Sequence, residues 1–105
     1  MDITTTESLP GRRITAVKGV AVGSTVRTKN IGKDIGAGLK SLIGGELKSY
    51  SAMLVEARSE ALSRMEAQAT ELGADAAVNL RFMTSAVASG ASEILAYATA
   101  VTTEP

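Results

Sequence analysis

The stretch that decides the fold is Ser51-Ala-Met-Leu-Val-Glu-Ala-Arg-Ser-Glu-Ala-Leu-Ser-Arg-Met-Glu-Ala-Gln-Ala-Thr-Glu-Leu72, followed at once by Gly73-Ala74-Asp75-Ala76-Ala77-Val78. Leu54, Ala57, Ala61, Met65 and Leu72 fall on one stripe at 100° per residue, while Glu56, Ser59, Glu60, Ser63 and Glu66 lie away from it. The pattern predicts an amphipathic helix of about six turns. Ser49 or Ser51 is its candidate N-cap, and Gly73 stands where a left-handed C-cap belongs. A helix with one apolar stripe needs a second layer to cover it.

The flanking sequence supplies that layer as strands. After Gly73, Val78, Leu80 and Phe82 alternate with Asn79, Arg81 and Met83, which predicts a strand with Asn79 and Arg81 on one face. Thr84 to Gly90 is small and polar and reads as a hairpin loop. Ser92 to Thr102 then forms a last strand, with Leu95, Tyr97, Thr99 and Val101 on one face and Ile94, Ala96, Ala98 and Ala100 on the other. Both faces are apolar, so this strand should be covered on both sides, either by a helix and a second layer or by another subunit. On the N-terminal side, Arg13 to Val26 is rich in β-branched residues, with Ile14 and Ala16 on one face and Thr15 and Val17 on the other. Gly19 and Gly23 interrupt it and point to a bulge or a close backbone approach. Ile3 to Thr6 also has β character, as an edge strand or as an arm that pairs with a neighbouring subunit. Between these parts, Ile31, Ile35, Leu39 and Leu42 or Ile43 recur at helical spacing over Asn30 to Leu42, and Gly44-Gly45 should end that helical segment in a turn.

Length and composition bound the rest. A chain of 105 residues is one domain, 1–105. Its aromatics are only Tyr50, Phe82 and Tyr97, and it carries ten glycines. Small side chains remove little apolar area per ordered residue, so a monomer built this way is marginal and burial between subunits is the natural remedy. Eleven basic and eleven acidic residues cancel. The long-range field that attracts a polyanion is missing, which argues against a nucleic-acid partner. With no cysteine there is neither a disulfide framework nor thiolate chemistry. The opening Met1-Asp2-Ile3-Thr4 lacks the basic and apolar regions of a signal peptide, and no apolar run approaches the roughly 20 residues that span a bilayer. No membrane partner and a cytoplasmic location are expected.

The pattern resembles the YbjQ-like family, which carries a heavy-metal-binding label. The matching stretches are Gly44-Gly45-Glu46-Leu47-Lys48-Ser49-Tyr50 before the helix, Arg58 with Ala61 and Met65 inside it, Leu72-Gly73-Ala74-Asp75-Ala76-Ala77-Val78 after it, and Tyr97-Ala98-Thr99-Ala100-Val101 near the end. Together with Val20 to Ile31 they cover most of the chain in order. The resemblance implies an α+β fold: a β-α-β-β subunit, dodecin-subunit-like, with an antiparallel sheet packed by one long helix. It also implies assembly into a pentameric ring in which short extra strands tie neighbours together. The metal label fits the residues poorly. Soft and borderline metals want thiolate or imidazole ligands, and this chain has neither Cys nor His. Asp34, Glu46 and Asp75 are the carboxylates open to Mg²⁺ or Ca²⁺, without any EF-hand loop, and no cofactor or metal ligand is assigned.

Four residues stand out as ligand candidates: Arg58, Tyr50, Arg81 and Glu46. Arg58 lies within about 40° of Leu54 on an ideal helix, inside the apolar stripe, so its guanidinium should be buried and paired. Its partner is Asp34, Glu46 or a neighbour's carboxylate; alternatively Arg58 and Arg81 line a pocket for a carboxylate or phosphate. Tyr50 sits one turn before Leu54, as a packing residue or a cleft lining. Glu60 and Arg64, four apart, read as a solvated pair. Catalysis has little to stand on: no G-x-S-x-G, P-loop or G-x-G-x-x-G occurs, and histidine and cysteine are missing. The function expected is a homo-oligomeric, pentameric binding or structural module with small-ligand or anion clefts between subunits. The alternatives are a metal-binding protein using carboxylate and carbonyl ligands, and an enzyme with an interfacial site.

Overall fold

The computed structural model describes residues 1–28 and 45–105, and at 45–47 and 49 the backbone alone. Along the chain come β1 (Asp2–Ile3), β2 (Arg13–Thr28), α1 (Gly45–Glu71), β3 (Ala76–Ala88) and β4 (Ala91–Glu104). The helical segment expected over Asn30 to Leu42 lies outside the described residues. The sheet order is β1-β3-β4-β2. β4 is antiparallel to both β2 and β3, whereas β1 runs parallel to β3. The fold is therefore α+β, with a four-stranded mixed sheet packed by one helix, and not the wholly antiparallel sheet expected. The parallel pair forms because the N-terminal segment follows β3 of its own chain from that strand's first residue. Thr4 N–H donates to Ala77 O at 3.0 Å, Leu80 N–H to Thr4 O at 3.0 Å and Asn79 N–H to Thr6 O at 2.9 Å.

Helix α1 ends as its sequence requires. Gly73 adopts φ +85°, its N–H reaches Thr70 O at 3.0 Å and the Ala74 N–H reaches Ala69 O at 3.1 Å. These are the two bonds of a Schellman cap, and the positive φ is why glycine stands there. The start differs from expectation. Gly45 is already helical, so it is no turn residue, and Ser49 and Ser51 lie inside the helix and do not cap it. Glu46, Leu47 and Lys48 have good helix propensity and extend the element by nearly two turns. At 27 residues, α1 is about 40 Å long.

The helix packs on β2 and β4 through Ala57, Ala61, Met65 and Ala69, which meet Ala21, Ile94, Ala96, Ala98 and Ala100, with Ala77 and Leu80 of β3 completing the cluster. Met65, Ile94 and Val101 are the largest side chains buried outright, so the interior is furnished mainly with methyl groups. Small residues let the layers approach closely, and Gly23 marks the closest point. A Cβ built there would overlap the carbonyl oxygen of Ala61 and the amide nitrogen of Met65, and would lie 2.8 Å from the carbonyl carbon of Arg64. Both strand glycines thus act as read. Gly19, at φ +133°, follows a register shift between Val17 and itself, and Gly23 is the close approach.

Irregularities move several side chains from their expected faces. A shift between Ile14 and Ala16 turns those two residues to opposite faces. In β3 a bulge between Val78 and Arg81 is centred on Asn79, whose φ is 56°. Ahead of it Val78 packs with Ala76, Val101, Leu9 and Ile14 on the face away from the helix; behind it Leu80 and Phe82 face the helix side. The single face expected for Val78, Leu80 and Phe82, and the shared face of Asn79 and Arg81, are both broken by this inserted residue. β3 also continues through Ala88, so most of the expected loop Thr84 to Gly90 is strand and the turn is confined to Ser89-Gly90.

Candidate functional site

The register places the residues of the sheet face opposite α1 in rungs across β3, β4 and β2. These are Val78–Thr99–Val20, Arg81–Tyr97–Val22, Met83–Leu95–Ser24 and Ser85–Glu93–Val26. Val20 is 64% exposed and Val26 54%, Val22 and Met83 are exposed as well, and Leu95 and Tyr97 are half-buried. Leu9 and Ile14 cover Ala76, Val78 and Val101, which closes the β3 end of the first rung. Among the described residues no other element covers the rest of these rungs. This is a β-branched, aromatic-centred apolar face of the kind that usually packs against another layer. Beyond Leu80, β3 also has no strand on its outer side among the described residues, and Phe82, Met83 and Val87 are exposed along it.

The polar chemistry lies along the other edge of the sheet and at the N-terminal arm. Glu60 is shared by Arg27 and Arg64, and Arg64 also donates from Nη1 to Ser24 O at 2.6 Å. The hydrogen bond from Arg27 holds the Glu60 carboxyl below its usual range; partial desolvation opposes it, and the charges of Arg27 and Arg64 add to the lowering. Gln68 Oε1 accepts from the Val22 N–H. At the arm, Arg12 bonds Asp2 at 2.9 Å and stands 3.9 Å from Asp75, whose carboxylate accepts from the Thr103 N–H and hydroxyl. Glu66 pairs with the Met1 amine and Glu104 with Arg13.

The four sequence-predicted site residues do not converge within one protomer. Arg58 is exposed, not buried, and has no ion-pair partner among the described residues. The reason lies in the helix contact line. Ala57, Ala61, Met65 and Ala69 repeat every four residues, an advance of about 40° per step, so the buried direction winds around α1 as it crosses the sheet. At the level of Ala57, Arg58 stands about 100° off that direction. Arg81 is exposed on the opposite sheet face and spends its guanidinium on the arm, donating to Thr5 O at 3.0 Å and Leu80 O at 2.8 Å. Tyr50 is half-buried near the start of α1, about 12 Å along the helix before Arg58. Glu46 lies in the first helical turn, its side chain outside the described residues. The Glu60–Arg64 pair exists, but as part of a three-membered cluster with Arg27 that the i,i+4 spacing alone did not announce. The loose alternation of Arg13 to Val26 was legible, but Val20, Val22 and Val26 were not picked out from it; Gln68 and Arg27 carried no local signal, because their partners lie on another element.

A model of the YbjQ_1 family, described as "Putative heavy-metal-binding", matches residues 1–104. The chain belongs to the YbjQ-like family. Its relatives include UPF0145 proteins from Methanoculleus marisnigri, 57% identical and covering 100% of this chain and 98% of the relative, and from Vibrio campbellii, 52% identical and covering 96% and 97%. The fold is shared with a crystal structure of a DUF74-family protein of unknown function from Pediococcus pentosaceus, at TM-score 0.67 and 18% identity over 99% of this chain and 98% of that one. The family's metal description meets a donor set here that does not suit it. Soft and borderline heavy metals are held chiefly by thiolate or imidazole, and this member has neither Cys nor His. Of its described carboxylates, Asp2, Glu60, Glu66 and Glu104 are each occupied by a cation, and among the described residues no three acidic or other ligating side chains gather.

Proposed function

We propose that this YbjQ-like protein is a self-assembling binding or structural module, a ring of five copies in which the valine rungs and the outer part of β3 are buried between neighbours. The observation that carries this reading is surface area. The chain exposes 6504 Å², whereas a compact protein of 10.8 kDa exposes about 5,500 Å². The surplus of about 1,000 Å² exceeds the roughly 800 Å² that one partner gives up in one standard interface and is over half of what a ring subunit, which makes two, would bury. The shape agrees, with a radius of gyration of 17.2 Å against about 13 Å for a compact chain of this length. Five copies is the number that the family resemblance implies, and a closed ring needs two different surfaces that meet head to tail. The apolar rungs on one side of the sheet and the exposed Phe82–Val87 margin of β3 supply two such surfaces. Clefts between copies are where Arg58, exposed and without an ion-pair partner among the described residues, would meet an anionic ligand or a neighbour's carboxylate.

Val20→Glu tests the reading, because a carboxylate placed at the β2 end of a buried apolar rung faces Thr99 and no cation. The expected result is a folded protein of protomer mass by light scattering, while Val55→Glu on the outer face of α1 keeps the wild-type mass. An unchanged mass for Val20→Glu removes the rungs from the interface and the reading with them.

A further inference from the structure

Among the described residues β2 is an edge strand, and the edge of a sheet is a template for adding another strand. Pairing of β2 with β4 runs without a shift from Gly19 to Thr28, so main-chain groups alternate regularly along it. The Val22 N–H and the Ser24 carbonyl point away from β4, since both are taken by side chains of α1. By the two-residue period, Val20 and Val26 turn their main-chain groups outward as well. A row of outward donors and acceptors therefore runs along residues carrying valine at three of four positions, without a proline and without a lysine. That composition is a liability on an open edge.

We propose that Arg64 and Gln68 are edge guards, which close β2 to strand addition by a second copy of this chain. Gln68 Oε1 takes the Val22 N–H, and Arg64 Nη1 gives a hydrogen bond to Ser24 O at 2.6 Å. One donor and one acceptor, two residues apart at the centre of the edge, are thus occupied by side chains that also stand in the path of an incoming backbone. Gly23 makes this reach possible, because only a residue without Cβ lets the α1 backbone settle on the strand between the two bonds. Glu60 holds the guanidinium of Arg64 in place from the preceding turn, and Arg27 from β2 itself fixes Glu60. The far edge is treated differently: there the N-terminal arm pairs with the first residues of β3 through main-chain bonds. Blocking β2 leaves the sheet one-sided for strand pairing, so assembly stops at a closed number of copies and does not propagate as a fibre. The guard role does not depend on the ring, since a monomer with this edge would need it equally.

The test is the double variant Arg64→Ala/Gln68→Ala, studied as the full chain by light scattering and thioflavin fluorescence over a range of micromolar concentrations. The expected result is open-ended growth beyond the wild-type mass, with the helical circular dichroism retained. Adding Val22→Pro, which deletes the outward donor at a position where an edge strand tolerates proline, stops the open-ended growth and leaves a species no larger than the wild type. Wild-type mass for the double variant at every concentration overturns the proposal, and so does growth that persists after Val22→Pro. Should the double variant unfold, hydrogen exchange on the wild type decides. The guarded Val22 amide exchanges about tenfold or more slowly than the outward amide of Val26, and equal rates overturn the assignment. A monomeric wild type that still shows this pattern would sink the ring and leave the guard standing.

Discussion

Replacing Gly23 with alanine puts a methyl group where the backbone of α1 already lies. The added carbon meets main-chain atoms of Ala61, Arg64 and Met65, which cannot swing aside as a side-chain tip would. The helix must therefore lift by on the order of 1 Å, enough to forfeit a quarter to a half of the dispersion attraction along Ala57, Ala61, Met65 and Ala69. Overpacking of this kind costs about 1–3 kcal/mol. The same movement pulls Gln68 from Val22 and Arg64 from Ser24, at about 1 kcal/mol each. The sum is about 3–5 kcal/mol, a large part of the roughly 5–15 kcal/mol that holds a domain folded. Thermal and urea unfolding followed by circular dichroism, at equal protomer concentration, should show Tm lower by about 15–30 °C. Gly11→Ala is the comparator: its φ of +76° strains alanine, but nothing lies within 4 Å, so the loss should be only about 1–2 kcal/mol. A Gly23→Ala protein that melts within about 4 °C of the wild type would refute the close packing of helix on strand.

Met65→Ala, at the centre of the buried helix face, should cost about 3 kcal/mol by chemical denaturation, and a loss under about 1 kcal/mol would contradict its full burial. Because Arg27 lowers the pKa of Glu60 in the folded state, the stability this pair adds is complete above the unfolded carboxylate pKa of about 4.5 and is lost as pH falls through the folded value. Melting curves from about pH 6 to about pH 3 should therefore show a shallower acid decline for Glu60→Gln than for the wild type. Arg58→Ala should change stability by no more than about 0.5 kcal/mol, since the side chain is exposed and unpaired among the described residues.

The sequence was most informative where one physical rule acted alone. The Schellman cap at Gly73, the two faces of β4 and the small-residue interior all follow from local chemistry and period, and each stands as read. Arg58 failed for a different reason. An ideal wheel averages the apolar direction over the whole helix, whereas the contact line with a twisted sheet drifts by about 40° every four residues. Asn79 shows a second limit: a one-residue bulge reverses the side chains of β3 from Leu80 to Ala86, and the hydrogen bonds that fix it come from Thr4 and Thr6, more than 70 residues away. The length of β3 was hidden by Thr84 to Ala88, whose small residues suit a loop but pair with β4 on either side of a shift at Val87. Of the candidate site, Leu95 and Tyr97 were read as one face of β4, but Val20, Val22 and Val26 were not picked out beside them, and the Arg27–Glu60–Arg64 cluster and the bond of Gln68 to β2 arise only when helix and strand are packed together.

The most direct measurement is the molar mass of the wild-type protein by light scattering behind a sizing column at low micromolar concentration. The proposed assembly requires a single species at five times the 10.8 kDa protomer, unchanged on further dilution until the ring dissociates as a unit. A folded species of 10.8 kDa, stable with its valine face in water, would contradict it.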